Sequence, residues 1–83
     1  MEMSEEPNTV SIRDLGVVAA LVTHGFEIAY TRRDTKGRTY FIFQQTVALD
    51  EIVNGYYADA LQVKARKFFD NTKMLKARIY ADE

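Results

Sequence analysis

The chain has no cysteine, one histidine, one proline and two serines in 83 residues. Without cysteine there is no disulfide framework, no thiolate zinc site and no cysteine nucleophile. A single histidine, His24, excludes multi-histidine metal centres and two-histidine acid–base chemistry. No apolar run approaches the roughly 20 residues that a helix needs to cross a bilayer. The first residues, Met1-Glu2-Met3-Ser4-Glu5-Glu6, are acidic where a secretory signal is basic and then apolar. A small cytoplasmic domain is the expectation. At this length close to two-thirds of the unfolded surface is buried on folding, enough for one modest core.

What is present is a segregation of charge. Residues 1–10 hold Glu2, Glu5 and Glu6 and no base, and the chain closes on Asp82-Glu83. Between them, residues 11–81 carry eleven bases against seven acids. Residues 30–40 contribute Arg32, Arg33, Lys36 and Arg38 against Asp34; residues 63–80 contribute Lys64, Arg66, Lys67, Lys73, Lys76 and Arg78 against Asp70. A basic body with acidic ends suits a polyanion-binding surface screened by its own tails. The plainer reading is a set of surface cations kept for solubility.

Residues 1–10, with the only proline and no apolar period, read as a flexible acidic lead-in to one domain over 11–81. Ser11-Ile12-Arg13-Asp14 has the form of a helix-capping box, with Val10 and Leu15 placed as a hydrophobic staple. Leu15, Val18, Ala19 and Val22 share one helical face and Gly25 is a left-handed stop, which predicts a helix over 12–24. Residues 26–32 alternate, with Phe26, Ile28 and Tyr30 on one face. Thr39-Tyr40-Phe41-Ile42-Phe43-Gln44 is aromatic and β-branched. Asp34-Thr35-Lys36-Gly37 between them is a turn with glycine where positive φ is required, so a β-hairpin is expected. Leu49, Ile52, Val53 and Tyr56 predict a helix over 47–57. Ala65, Phe68, Phe69, Thr72, Leu75 and Ile79 form the apolar stripe of a last helix over 63–79. The order α-β-β-α-α makes an α+β domain, one antiparallel hairpin packed with three helices.

Catalytic chemistry finds few candidates. Nucleophilic catalysis needs a nucleophile beside a base; Ser4 lies in the lead-in and Ser11 is read as a cap. His24 ends the first helix, where a cationic imidazole favours the dipole. Asp50 and Glu51 open the second helix, where acids favour it as well. There is no calcium-loop spacing, and the four glycines, at 16, 25, 37 and 55, build no phosphate-cradling loop. The expectation is a protein with no catalytic residue, no metal and no cofactor.

Two features carry possible binding content. At the hairpin tip Arg32, Arg33, Lys36 and Arg38 cluster between Tyr30 and Tyr40; cations there could pair with phosphates while a tyrosine stacks on a base. The alternative is a solvated tip whose charges resist edge-to-edge pairing. On the last helix Lys64 and Lys67 form a second row with Arg78, although its cations border the apolar stripe on both sides and make no single basic face.

The chain resembles a family of short bacterial and phage proteins carried as a domain of unknown function. The matching residues are Asp14-Leu15, Ala19-Ala20-Leu21, His24-Gly25-Phe26, Tyr40-Phe41-Ile42-Phe43, Val63-Lys64-Ala65-Arg66-Lys67-Phe68-Phe69-Asp70, Leu75-Lys76-Ala77 and Ile79-Tyr80. They cover residues 11–80. The resemblance implies no reaction and no cofactor. It implies a phage or mobile-element setting, in which small proteins act by binding.

The function expected is therefore a non-enzymatic binding protein that contacts nucleic acid through Arg32, Arg33, Lys36 and Arg38, with Lys64 and Lys67 as a second row and Tyr30 or Tyr40 stacking. The alternative is a protein-interaction or inhibitor module anchored by Tyr56, Tyr57 and Tyr80. A homodimer is expected too. The strand Tyr40-Phe41-Ile42-Phe43 is apolar on both faces, and a lone hairpin leaves unpaired edges.

Overall fold

A computed structural model of the chain describes residues 8–81. The elements run β1 (Thr9–Ile12), α1 (Leu15–Thr23), β2 (Tyr30–Arg33), β3 (Thr39–Gln44), α2 (Val47–Tyr57) and α3 (Ala65–Ala81). The fold is α+β, with three helices and an antiparallel sheet in the order β1-β3-β2. From α1 onward the order is the expected α-β-β-α-α. The sheet differs by one strand, because β1 precedes α1 and pairs with β3.

That strand overturns the capping box at Ser11. Thr9-Val10-Ser11-Ile12 alternates polar and apolar, which suits a half-buried strand. Pairing Val10 with Phe43 and Ile12 with Phe41 puts both apolar residues on the core face. The cap moves three residues on, to Asp14, whose Oδ1 accepts from the Gly16 and Val17 N–H groups at 2.9 and 3.3 Å. Two orphan donors of α1 are satisfied there. Of the segment read as a flexible lead-in, Thr9 and Val10 belong to β1, and the Asn8 carbonyl accepts from Gln45 N–H at 2.6 Å. Residues 1–7 and the acidic pair at 82–83 lie outside the described residues.

Helix α1 ends as its sequence predicts. Gly25 takes φ +94°, Phe26 N–H reaches the Leu21 carbonyl and Gly25 N–H the Val22 carbonyl, the paired bonds of a Schellman motif. In α2 the Thr46 hydroxyl caps Leu49 N–H at 3.0 Å. The hairpin closes through residues 35–37, with Asp34 N–H on the Arg38 carbonyl and Gly37 at φ +81°.

The helices share one face of the sheet. Val17, Val18, Ala19 and Leu21 of α1, Leu49 of α2 and Leu75 of α3 form one buried cluster with Phe41 and Phe43. Val10 and Ile12 pack against its rim. Phe26 and Ile28 also join this rim, whereas Tyr30 points to the opposite face; the strict alternation expected over 26–32 breaks. The Ala29 N–H bonds the carbonyl of Ile42, the residue whose Cα partner is Tyr30. Residues 26–29 lie outside β2, which starts at Tyr30, so the period of one continuous strand does not run back to Phe26 and Ile28.

The stripe of α3 is narrower than expected. Leu75 is buried and Phe68, Thr72 and Ile79 are half-buried, but Ala65 is exposed and Phe69 is 61% exposed. The half-buried Asn71 replaces them at the contact with α1, donating to the Thr23 hydroxyl at 2.9 Å.

Candidate nucleic-acid interface

Register assigns the second face of the sheet. Residues opposite one another on antiparallel strands share a side. Ser11, Ile42 and Tyr30 therefore stand in one row across three strands, with Tyr40 and Arg32 in the next. Ile42 is buried yet lies outside the helix-packed cluster. Among the described residues no helix packs on this side.

Arg32 ties the face together. Its guanidinium carbon lies 4.7 Å from the centre of the Tyr40 ring, and its Nη2 donates to Ser11 Oγ at 3.5 Å. The side chain thus spans from β2 across β3 to β1. A guanidinium held over a tyrosine ring is a pre-placed charged group, less hydrated than an ammonium. Tyr30, two residues before Arg32 on the same side, is 46% exposed. The result is a surface over the buried Ile42 with one exposed ring, one ring-backed guanidinium and polar Ser11 at its margin.

The four tip cations divide. Lys36 projects from the loop and its ammonium makes no ion pair among the described residues. Arg38 is held by Asp34, with Nε 3.1 Å from Oδ2. Asp34 organises the whole tip: Oδ1 accepts the Lys36 and Arg38 N–H groups, both at 2.9 Å, and Oδ2 accepts the Tyr40 hydroxyl at 3.4 Å. The backbone N–H of Arg38, that of Lys36 and the Arg38 guanidinium hold its carboxyl below its ordinary value, against a desolvation that raises it. Arg33 falls on the helix side of the sheet by register. Its Nη1 donates to the Gly37 carbonyl at 3.0 Å and its Nη2 to the Ile79 carbonyl in the last turn of α3 at 3.3 Å. A cation suits a helix C-terminus, so Arg33 fastens the hairpin to α3.

Lys64 and Lys67 stand elsewhere. They line a cleft of about 380 Å³ with Thr23, His24, Gln62 and Val63, where α1 ends and α3 begins. His24 Nε2 donates to the Gln62 carbonyl at 3.0 Å and joins those two ends. Twelve residues of helix separate Lys67 from Ile79, about 18 Å at 1.5 Å per residue. The second cationic row and the hairpin tip thus lie toward opposite ends of α3. Sequence reasoning named Tyr30, Tyr40 and Arg32 as tip residues; that they share a sheet face with Ser11 and Ile42 follows only from the third strand.

No group of three His, Cys, Asp or Glu side chains among the described residues could hold a metal ion. No helix among them is long and apolar enough to cross a membrane. Residues 7–81 match the model of a family described as Domain of unknown function (DUF5659).

The chain belongs to that family. Neither a curated protein nor a solved structure matches it. The DUF5659 match begins before β1 and ends at the last described residue of α3, so it spans the sheet as well as the three helices.

Proposed function

We propose that this DUF5659 protein is a non-enzymatic binder of single-stranded nucleic acid, and that the strand lies on the face of the sheet that carries no helix among the described residues. The observation that carries the reading is the placement of Tyr30 and the Arg32–Tyr40 pair on one helix-free face, with Lys36 at the adjacent tip. Unpaired bases stack on exposed tyrosine rings and on guanidinium planes. The cations neutralise the phosphates between them. A duplex keeps its bases stacked inside and offers such a face nothing to stack on. A phage or mobile-element setting and a cytoplasmic location go with this proposal.

Fluorescence anisotropy with labelled single-stranded DNA, single-stranded RNA and duplex DNA at 50 mM salt tests it. The expected result is binding of a single strand in preference to the duplex. Engagement of two to four phosphates gives a slope of log affinity on log salt of roughly −1.4 to −2.8. Absence of binding at tens of micromolar, or equal binding of the duplex, sinks the proposal.

A second reading, a homodimer, is favoured by the same helix-free face, since a second copy could bury the exposed Tyr30 ring. One edge of the hairpin needs no partner, because β1 pairs with it within the chain. Sedimentation at 10–100 µM separates the two: a mass near 19 kDa, reduced by Tyr30→Glu, supports the second copy, while 9.5 kDa throughout leaves the face to a ligand. Phe43→Lys does not discriminate, because Phe43 belongs to the helix-packed core and its loss unfolds the monomer.

A further inference from the structure

On α3, Phe69, Lys73, Lys76 and Tyr80 recur at i, i+4, i+7 and i+11 and form one row along the helix. Phe69 and Tyr80 are 61% and 67% exposed, and both lysines are exposed. At 100° per residue the row lies well over 100° from Asn71, which bonds Thr23 of α1, so it occupies the flank turned away from α1. Asp70, the only acid in α3, falls outside the row. The Lys73 ammonium sits 5.2 Å from the centre of the exposed Phe69 ring, a cation–aromatic pair like that of Arg32 with the half-buried Tyr40.

The row ends beside the hairpin. Arg33 Nη2 bonds the Ile79 carbonyl, which brings the end of β2 against the turn of α3 that carries Tyr80. Arg33, on the helix side of the hairpin, therefore stands at the turn of α3 in which this row ends. Phe69 to Tyr80 spans about 16 Å of helix axis.

We infer that Phe69, Lys73, Lys76 and Tyr80 form a second segment of the nucleic-acid track, which takes the strand after it leaves the sheet at the hairpin. Lys73 and Lys76 meet phosphates, and Phe69 and Tyr80 offer faces to bases. The charge commits the surface to a polyanion: the row has two cations, no acid, and two rings that a base can stack on. This rests on the proposed single-strand binding, and it adds a requirement for length that the sheet face alone does not make.

The test compares oligonucleotides of about 6 and about 12 nucleotides on the full chain, both within the range that small single-strand binders cover. The wild type should bind the longer strand roughly 10-fold or more tightly, the gain of about one further stacked base and its phosphates. Lys73→Glu with Lys76→Glu should abolish that gain and leave the shorter strand bound as before. Phe69→Ser with Tyr80→Ser should reduce it at unchanged net charge, with circular dichroism confirming the fold. A gain that survives both double variants overturns the inference while the sheet-face reading stands. Failure of the wild type to bind either length removes both. Loss of a dimer in the charge-reversed variant, with oligonucleotide binding unaltered, makes the row an interface between copies and overturns the inference as well.

Discussion

The guanidinium of Arg32 lies over the ring of Tyr40, its neighbour across the two strands, with the carbon 4.7 Å from the ring centre. A charge and an aromatic that the proposed single-strand binding would use together are thereby held together in the free chain. Pre-ordering of this kind removes rotamer entropy that binding would otherwise have to supply.

Variants of this face should separate stacking from charge. Tyr30→Ala should weaken single-strand binding by about 1–3 kcal/mol, and Tyr30→Phe should retain most of it, since the ring and not the hydroxyl does the stacking. Arg32→Ala should weaken binding and flatten the salt slope by about 0.7, the share of one phosphate on a single strand. Lys67→Glu, toward the other end of α3, should leave that slope unchanged in the same titration. A Lys67 effect equal to that of Arg32 would return the second cationic row to the site.

The start of α1 gives a stability prediction. Asp14→Ala removes the acceptor for Gly16 and Val17 N–H and should cost about 0.5–2 kcal/mol in urea unfolding. Ser11→Ala should change stability by no more than about 0.5 kcal/mol, because Ser11 caps nothing and lies exposed on β1. The reverse ranking would restore the capping box.

Asp34 makes the hairpin sensitive to acid. Its folded value is depressed below 3.8, chiefly by the Arg38 and Lys36 N–H groups and the Arg38 guanidinium. A depressed carboxylate contributes stability that is fully present above its unfolded value and disappears as pH falls through the folded one. Thermal melts should therefore lose an increment below about pH 4. Asp34→Asn should lack that increment and be less stable than the parent at neutral pH. Identical acid limbs in the two proteins would show that Asp34 is not its source.

At Gly16, α1 lies against the Tyr56 side chain of α2. A methyl group added there runs into the Tyr56 hydroxyl and comes within 2.9 Å of its Cζ. Gly16→Ala should therefore destabilise by about 1–3 kcal/mol despite alanine's better helix propensity. Pairing it with Tyr56→Leu, which removes the obstructing end of the ring, should recover part of the loss in the same unfolding measurement.

The parts legible in the sequence are those set by neighbours along the chain. Gly25 stops α1 and Gly37 closes the hairpin because each supplies a positive φ that other residues resist. The 47–57 helix follows from its own apolar period. Thr9-Val10-Ser11-Ile12 was ambiguous locally, since a serine three residues before an aspartate fits a cap as well as a strand; only Phe41 and Phe43, about thirty residues on, decide it by offering Val10 and Ile12 a core face. Phe69 fits the apolar stripe of α3 by angle, but the contact of Asn71 with Thr23 turns the helix so that Phe69 faces outward.

The candidate site divides along the same line. Composition and turn chemistry determined that Tyr30, Arg32, Lys36 and Tyr40 cluster around one hairpin. Tertiary structure alone decided which of the cations remain available. Strand register puts Arg32 and Arg33 on opposite faces, the end of α3 engages Arg33, and Asp34 engages Arg38. It also decided that, among the described residues, one face of the sheet carries no helix. The physical reason is that turns and helix periods are satisfied within a few residues, whereas the choice of which face to bury depends on what the rest of the chain brings to it.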